Sequence, residues 1–252
     1  MSHSITIQEG ALLLSDAHYA SNLRPQLLSF FQALDTQEIQ TPQLLLFGDI
    51  FDALFGYIPY TYEQNKELVT LINKLSKNIE IIYLEGNHDF QLAQFFPNIQ
   101  VFSIAQQPLT CKFKTQEGFL AHGDFDGAFG YKLYTALIRN SFLLRLLRFI
   151  DDRIEHKIIH AIDAHLGKKE DCQSFEGFEV FIQDHIRNYK KEDTFFIEGH
   201  FHQNKTFFID GVYYINLAAF ACNQRYFRVK SSQDNQLKLQ ELQFKTGDEN
   251  NG

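Results

Sequence analysis

The sequence is poor in the residue types that mark disulfide-rich and nucleic-acid-binding proteins. Its 252 residues include no tryptophan and only three cysteines, Cys111, Cys172 and Cys222. Because the cysteines are odd in number and widely spaced, they predict neither a zinc motif nor a disulfide framework, as in a reducing cytosol. The formal net charge of −8 argues against a general nucleic-acid binder.

Long apolar runs are also missing. No stretch reaches the ~18 uninterrupted apolar residues of a membrane-spanning helix, and the first residues lack the layout of a signal peptide. We therefore expect a cytoplasmic protein. With 44% apolar residues, the chain can bury a sizeable core, and its length suits a single domain over residues 1–252 with an insertion, or two small domains.

What the chain does have is a recurring apolar run that ends in a metal-ligating side chain. Residues 44–47 are apolar and lead into Gly48 and Asp49, which places the carboxylate at the carboxyl end of a buried strand, where ligands bind in open α/β sheets. Four other stretches end in the same way. Their motifs are D-x-H at residues 16–18, G-N-H-D at 86–89, H-G-D at 122–124 and G-H-x-H at 199–202.

Periodicity and turn residues predict the elements between these motifs. Apolar residues at helical spacing predict helices over residues 24–34 and 63–75. The Asp210-Gly211 pair predicts a tight hairpin, and a second hairpin is expected within residues 101–120, around Gln116-Glu117-Gly118. The aromatic run at residues 53–62 is either a loop at the site or the edge of a core, and we favour the core.

The order of the five motifs resembles that of the calcineurin-like metallophosphoesterase family, over about residues 12–216. The resemblance implies an α/β fold, a four-layer αββα sandwich, with two divalent metal ions bridged by Asp49. One ion would be held by Asp16, His18, Asp49 and His202, and the other by Asp49, Asn87, His122 and His200. Imidazole, carboxylate and amide ligands without thiolate suit Mn²⁺, Fe²⁺ or Zn²⁺, and we expect Mn²⁺.

The resemblance gives His88 a different role, since this histidine would contact a phosphoryl oxygen or protonate the leaving group. Asp89 would accept its other N–H and fix the tautomer. Asp52 and Asp124 are expected to support loops rather than to bind metal.

Residues 125–175 interrupt the alternating pattern with a long, helix-rich insertion. All charged residues between positions 132 and 150 are basic, namely Lys132, Arg139, Arg145 and Arg148. Two interpretations stay open: a helical cap packed on the core, or a lid that offers apolar surface to a lipid and positive charge to phosphate or anionic headgroups. His156 and His160 have a metal-binding spacing on an expected helix, but we favour a surface position.

The insertion and the run G-D-I-F-D-A-L-F-G at residues 48–56 resemble the UDP-2,3-diacylglucosamine pyrophosphatases of lipid A synthesis, whose insert covers the acyl chains. The resemblance implies hydrolysis of this lipid-linked nucleotide to UMP and 2,3-diacylglucosamine 1-phosphate, by a peripheral protein on the cytoplasmic face of the inner membrane. The substrate contacts it suggests are Tyr131, Arg139, Lys168 and Lys169. That family commonly reads G-N-R-D where this chain has His88, and Pro where it has Asn204.

Two other functions stay open. One is a phosphodiesterase or phosphatase for a soluble nucleotide or phosphoprotein. The other is a non-catalytic metal-binding scaffold, as in retromer-type members of the family that keep the fold but lose ligands. Retention of every ligand position together with His88 argues against the scaffold.

Overall fold

Short strands and helices alternate along the chain and build two facing sheets. The computed structural model describes residues 5–19, 24–126, 129–166 and 172–245. The strands are β1 Ile5–Ile7, β2 Leu12–Leu14, β3 Gln43–Leu46, β4 Leu54–Phe55, β5 Glu80–Leu84, β6 Asp89–Phe90, β7 Gln100–Phe102, β8 Leu109–Phe113, β9 Gln116–Ala121, β10 Thr194–Glu198, β11 Lys205–Ile209, β12 Val212–Asn216, β13 Arg225–Ser231 and β14 Leu237–Gln243. The helices are α1 Arg24–Asp35, α2 Pro59–Leu75, α3 Phe129–Ile138, α4 Ser141–Asp151, α5 Lys157–Leu166, α6 Phe178–His185 and α7 Phe220–Asn223.

The two large sheets each have six strands. The first has the order β1-β8-β9-β10-β12-β11, and the second has the order β14-β13-β2-β3-β5-β7. Strands β2, β3, β5 and β7 run parallel to one another, as do β9, β10 and β12. A further small sheet pairs β4 with β6.

The layers explain why the strand sequences are apolar without alternation. Leu12 and Leu14 of β2 belong to an apolar cluster with Phe30 and Phe31 of α1, whereas Leu13 belongs to the cluster between the two sheets. Both faces of such a strand are buried, so every position is apolar. Helix α6 packs on the other face of the first sheet. The predicted αββα sandwich is therefore confirmed.

Helix α1 confirms the helix predicted over residues 24–34. Helix α2 begins at Pro59, four positions before the predicted start, because proline suits the first turn of a helix. The hydroxyl of Thr61 then donates to the carbonyl of Ile58 and accepts from the amide of Phe55. Phe55 and Ile58 are buried against Phe90 and the insertion, so the prediction that residues 53–62 form the edge of a core is confirmed.

One predicted hairpin is confirmed and the other is displaced. Asp210 and Gly211 both have positive φ, 47° and 84°, and join β11 to β12, as a two-residue turn requires. In the second hairpin β8 pairs with β9 through a turn at residues 114–115. The predicted turn at Gln116-Glu117-Gly118 is wrong, because Gly118 lies inside β9, where any side chain would meet the ring of Phe195.

Helices α3, α4 and α5 lie within the predicted insertion, between β9 and β10. Leu144 of α4 and Ile159 of α5 pack on Phe55 and Phe90 of the small sheet. None of the helices described above has the length and apolar composition needed to cross a bilayer. The boundaries of the insertion, and the single domain that would contain it, stay predictions.

The pairing of the cysteines differs from the prediction. Cys172 and Cys222 form a disulfide, with Cα atoms 5.7 Å apart, and Cys111 is free and buried. The prediction of no disulfide is wrong because sequence spacing does not reveal that the segment before α6 returns to the short helix α7. The cysteines therefore no longer support a reducing compartment.

Candidate metal centre

The metal-ligand motifs converge where the carboxyl ends of strands from both sheets meet. Asp16 and His18 follow β2, Asp49 follows β3, and Asn87 follows β5 of the second sheet. The first sheet contributes residues that follow β9 and β10, namely His122, His200 and His202. The predicted clustering of these side chains is thus what the parallel strands produce.

A left-handed backbone recurs at these positions. Residues other than glycine rarely adopt a positive φ, at a cost of about 1–3 kcal/mol each, and such residues concentrate at functional sites. Here the φ angles are 49° for Asp16, 44° for His18, 51° for Asp49, 61° for His200 and 56° for His202. The conformation turns the chain sharply after each strand and directs these side chains toward a common centre.

Asp16, His18 and His202 form the first ligand group, with one potential ligand atom of each within 4.8 Å of the others. His202 Nε2 lies 3.1 Å from Asp16 Oδ1. Burial raises the pKa of Asp16, but the charge and hydrogen bond of His202 together with the charge of His122 lower it to about 2. His18 Nε2 is buried without a hydrogen-bond partner among the described residues. Buried polar atoms are rarely unpaired, so this group fits a cation.

Asp49, His122 and His200 form the second group, again within 4.8 Å. His122 Nε2 lies 3.4 Å from Asp49 Oδ2 and 3.2 Å from Asn87 Oδ1. His122 Nδ1 lies 2.7 Å from the carbonyl oxygen of Phe47. Because a carbonyl only accepts hydrogen bonds, Nδ1 carries a proton, and Nε2 is the atom that can ligate a metal. This group also fits a cation.

Asp49 lies between the two groups. Burial raises its pKa, but the nearby His122, His88 and His18 lower it well below the usual range. The amide of His88 donates to Asp49 Oδ1 over 2.8 Å. Gly86 is required here because any side chain on it would meet the Asp49 carboxylate. The glycine of the G-N-H-D motif is therefore a packing requirement of the centre.

Asp52 orients two histidines, a role that the sequence analysis missed. Its Oδ1 lies 3.2 Å from His18 Nδ1 and 3.6 Å from His88 Nδ1, and its carbonyl oxygen lies 3.0 Å from His88 Nδ1. Burial raises the pKa of Asp52, but hydrogen bonds from His18 and His88 lower it below its usual range. The spacing of Asp52 three residues after Asp49 was the only available signal, and it does not reveal the direction of the side chain.

Asp89 is fully buried and shapes the turn after β3. Its carboxylate accepts five hydrogen bonds, from the amides of Asp49, Ile50, Phe51 and Gly86 and from the hydroxyl of Tyr83. Burial and the charge of Asp49 raise the pKa of Asp89 to about 7. The prediction that Asp89 fixes the tautomer of His88 is wrong, because these donors occupy both oxygens while His88 Nδ1 faces Asp52.

A cavity of about 890 Å³ opens between the metal-ligand groups and the insertion. At one end it is lined by Asn87, His88 and His200. Most of the remaining wall comes from α3, α4 and α5 and is apolar: Leu137, Ile138, Leu143, Leu144, Leu147, Ile158, Ala161 and Ile162, joined by Thr135 and His165. The arrangement can place a polar group at the metal ligands while an apolar chain lies along the helices.

Of the four residues predicted to contact substrate, only Arg139 has a side chain in the described part of the structure. Arg139 is buried, and its guanidinium meets Asp124 and the carbonyl oxygen of Gly86. Tyr131 lies in α3, but its side chain is outside the described part of the structure, as are residues 167–171 with Lys168 and Lys169. These three stay predictions.

Two of the histidines of the insertion, His156 and His160, attach it to α2. The ring of His156 stacks on Tyr60 with centroids 3.9 Å apart, and His160 Nε2 lies 3.1 Å from the Tyr60 hydroxyl. His156 precedes α5 instead of lying in it, so the expected helical pair does not form. His160 is exposed, as predicted.

Comparison with known proteins gives one family and distant relatives. A profile of the calcineurin-like phosphoesterase family matches residues 11–204. The UDP-2,3-diacylglucosamine hydrolase of Salmonella arizonae is 21% identical over 196 residues, 76% of this chain and 81% of the relative. The protein of the same name from Histophilus somni is 23% identical over 200 residues, 75% and 82% of the two chains.

The chain is also similar to solved structures, at low identity. Yfce, a phosphoesterase from E. coli, aligns over 92% of this chain and 97% of its own, with 12% identity and a TM-score of 0.45.

Proposed function

The chain belongs to the calcineurin-like phosphoesterase family, and from this premise we propose that it hydrolyses UDP-2,3-diacylglucosamine. The products would be UMP and 2,3-diacylglucosamine 1-phosphate, an intermediate of lipid A biosynthesis. The observation that carries the proposal is the apolar cavity that reaches the metal centre at Asn87, His88 and His200, the last of which belongs to the second ligand group. Relatives named for this activity cover about three quarters of the chain.

Two divalent ions would occupy the two ligand groups. The residues that would hold them are Asp16, His18, Asp49 and His202 for one ion, and Asp49, Asn87, His122 and His200 for the other. When bound, the ions would supply a nucleophile at neutral pH and relieve the negative charge of the phosphoryl oxygens. The nitrogen and oxygen ligands suit Mn²⁺, Fe²⁺ or Zn²⁺, and we propose Mn²⁺.

His88 is the proposed acid. It lines the cavity between the metal ligands and the insertion, and its Nδ1 is held by Asp52. In the protonated imidazole the second nitrogen, Nε2, then has a fixed direction and can donate its proton to the oxygen that leaves with the sugar phosphate.

The acyl chains would lie along the insertion. Leu137 and Leu143 line the cavity, yet their side chains are 49% and 37% exposed. Folding leaves this apolar surface in water, and an acyl chain would cover it at about 0.8 kcal/mol per buried CH₂. The substrate would therefore complete the packing between α3, α4 and α5.

Helix α4 supports a second part of the proposal, contact with the cytoplasmic surface of the inner membrane. It exposes Phe142, Leu146 and Phe149, and it also carries Arg145 and Arg148. Apolar side chains combined with basic residues are typical of helices that lie in the interface of an anionic bilayer. Such contact would bring the cavity near the lipid phase where the substrate resides.

A second candidate function is hydrolysis of a soluble phosphoester, such as a nucleotide or a phosphoprotein. His88 favours it, since the lipid A enzymes commonly have arginine at the same place in the motif. The metal-ligand groups would serve both functions equally.

The proposal is tested by incubating purified protein with UDP-2,3-diacylglucosamine and measuring UMP. We expect UMP with Mn²⁺ present, no UMP after chelation, and recovery when Mn²⁺ is restored. The matched substrate is bis-p-nitrophenyl phosphate, which has no acyl chain. Turnover of this small diester without UMP release from the lipid would reject the lipid substrate and favour the soluble one. Absence of turnover of both substrates with any of the three metals would favour a scaffold.

A further inference from the structure

Arg139 connects the insertion to the centre in an unusual way. It directly follows α3, and its side chain is 9% exposed. A single guanidinium nitrogen, Nη2, donates to the carbonyl oxygen of Gly86 over 3.0 Å and to Asp124 Oδ2 over 2.7 Å. The carbonyl oxygen of Arg139 in turn accepts from Gln91 Nε2 over 3.0 Å. Backbone and side chain therefore both fix the end of α3 to the body.

The two acceptors of Arg139 belong to two different ligand loops. Gly86 directly precedes Asn87, and Asp124 lies two residues after His122. Asn87 and His122 are both in the second ligand group, with Asn87 Oδ1 3.2 Å from His122 Nε2. One nitrogen atom of the insertion thus joins the two loops that set this distance.

Neither substrate binding nor stability alone accounts for Arg139. Among the described residues, the cavity wall includes its neighbours Thr135 and Ile138 but not Arg139. Its Nε and Nη1 have no acceptor, and the buried Oδ1 of Asp124 has no donor, among the described residues. A buried ion pair with unmet hydrogen bonds is poor evidence for stabilisation, because desolvation opposes the attraction between the charges. What Arg139 does achieve is a fixed geometry of the ligand loops.

We propose that Arg139 is a positioning residue for the second ligand group, through which the insertion controls the metal centre. The inference rests on the proposed function, since it assigns metal binding to this group. Partners that orient metal ligands typically change metal affinity or activity by about 10–100-fold when removed. Loss of Arg139 should therefore weaken one metal ion selectively, and it should lower kcat on lipid and small substrates alike.

The experiment uses substitutions that separate position from stability. Arg139→Met removes the guanidinium but leaves Asp124 unpaired, so this variant alone is at risk of misfolding. The double variant Arg139→Met/Asp124→Asn removes both charges and still lacks a donor to Gly86. Arg139→Lys keeps the positive charge but loses the planar guanidinium with its several N–H donors. Arg187→Met is the control, because Arg187 forms an exposed ion pair with Asp184 at 3.1 Å.

Each metal-free protein would be titrated with Mn²⁺ by calorimetry and melted without metal, and the Mn²⁺-loaded protein would be assayed with bis-p-nitrophenyl phosphate and with the lipid. We expect the double variant to melt near wild type, to bind one Mn²⁺ normally and the other about 10–100-fold more weakly, and to lose kcat. The KM of the double variant for the lipid should stay within about twofold of the wild-type value. Arg139→Lys should fall between wild type and the double variant, and Arg187→Met should match wild type.

Wild-type affinity for both ions in the double variant would overturn the inference, as would equal weakening of both ions in step with a lower melting temperature. A wild-type protein that does not bind two Mn²⁺ ions would overturn the proposed metal centre and this inference with it. The two failures are therefore distinguishable from one titration series.

Discussion

The central strands of the body and the helices of the insertion differ in how much of their apolar side chains is exposed. In the body, β2 and β3 bury their leucines completely or nearly so, between helices on one side and a second sheet on the other. In α3 to α5, many large apolar residues stay exposed: Leu133, Leu137, Phe142, Leu143, Leu146, Phe149, Ile150 and Ile154. The central strands of the body are fully packed, although Val180 of α6 and Phe208 of β11 are exposed, whereas the insertion presents apolar surface around the cavity that a substrate or partner could bury.

This difference indicates that the body supplies the catalytic groups and that the insertion determines substrate selectivity. The polar groups that can hold metal ions all follow strands of the body, while the apolar wall of the cavity comes mostly from the insertion. Substitutions in the body should therefore affect every substrate. Substitutions on the cavity wall should affect the lipid alone.

The largest effect is expected from Asp49→Ala, which would break the chemistry of the body. Asp49 lies between the two ligand groups, so its loss should weaken both metal ions. Because even partners behind the ligands cost about 10–100-fold, loss of a ligand shared by both ions should abolish turnover of lipid and small diester alike. Metal content and turnover would be measured on the same sample. Two tightly bound ions with wild-type turnover would refute the role of Asp49.

A somewhat smaller loss is expected for His88→Ala. Removal of an acid or of a charge-stabilising group typically costs about 10²–10⁴-fold in rate. His88 belongs to a further possible group with His18 and Asp52, but it is not among the residues proposed to hold either ion, so metal content should stay near wild type. Elemental analysis beside the rate measurement checks both statements. Loss of one metal equivalent would instead identify His88 as a ligand.

Leu137→Ala should separate the insertion from the body. Leu137 lines the cavity and is 49% exposed, while Leu133 in the same helix is 50% exposed and is not among the described lining residues. At about 0.8 kcal/mol per CH₂, the truncation should raise KM for the lipid roughly 3–30-fold and leave the small diester unchanged. Leu133→Ala is the matched control. Equal effects of both variants on both substrates would show that α3 is only structural.

Phe142 belongs to the insertion but lies outside the cavity. Its side chain is 70% exposed and is not among the described residues that line the cavity, so Phe142→Ala should leave lipid KM near wild type. A membrane contact predicts weaker binding to anionic vesicles instead. Arg148→Gln should also weaken that binding, by about fivefold, since a basic residue near such a surface contributes about 1 kcal/mol. Sedimentation with vesicles at rising salt tests both variants, and salt-independent binding would contradict the contact.

The smallest expected effect is on the pH dependence of the melting temperature, and it involves two residues of the body. Burial lowers the pKa of His185, but the Glu198 carboxylate, whose Oε2 lies 3.2 Å from His185 Nε2, raises it above its usual 6.5. A pKa raised by folding stabilises the folded state below pH 6.5, and this stabilisation is lost as pH rises through the folded pKa. His185→Gln should therefore show less loss of melting temperature between pH 6 and pH 9 than wild type. Parallel curves would contradict the ion pair.

Much of the body could be predicted because its signals are local. An apolar run followed by glycine and a carboxylate fixes both the strand and the place of Asp49, and Asp210-Gly211 fixes a turn. The partners of Asp52 and Asp89 could not be predicted, because both are acids next to a motif and only the path of the loops decides which one faces His88. Gly118 was misassigned because its function is to admit the ring of Phe195, which is 77 positions away in a partner strand.

The insertion was harder to interpret for a physical reason. Apolar residues at helical spacing predict helices but not which faces remain exposed. Leu137 and Phe142 look alike in the sequence, yet one lines the cavity and the other faces solvent. The pairing of Cys172 with Cys222 likewise depends on where the chain returns after the insertion, which no local pattern specifies.

The most direct test of this division is a comparison of two UDP sugars under the same conditions. UMP release would be measured from UDP-2,3-diacylglucosamine and from UDP-N-acetylglucosamine, which offers the same phosphates without long acyl chains. Because each tenfold in kcat/KM corresponds to about 1.4 kcal/mol, less than two buried CH₂ groups, we predict a preference of several orders of magnitude for the acylated substrate. Leu137→Ala should reduce this preference. Equal kcat/KM for the two sugars would contradict the claim that the insertion selects the lipid.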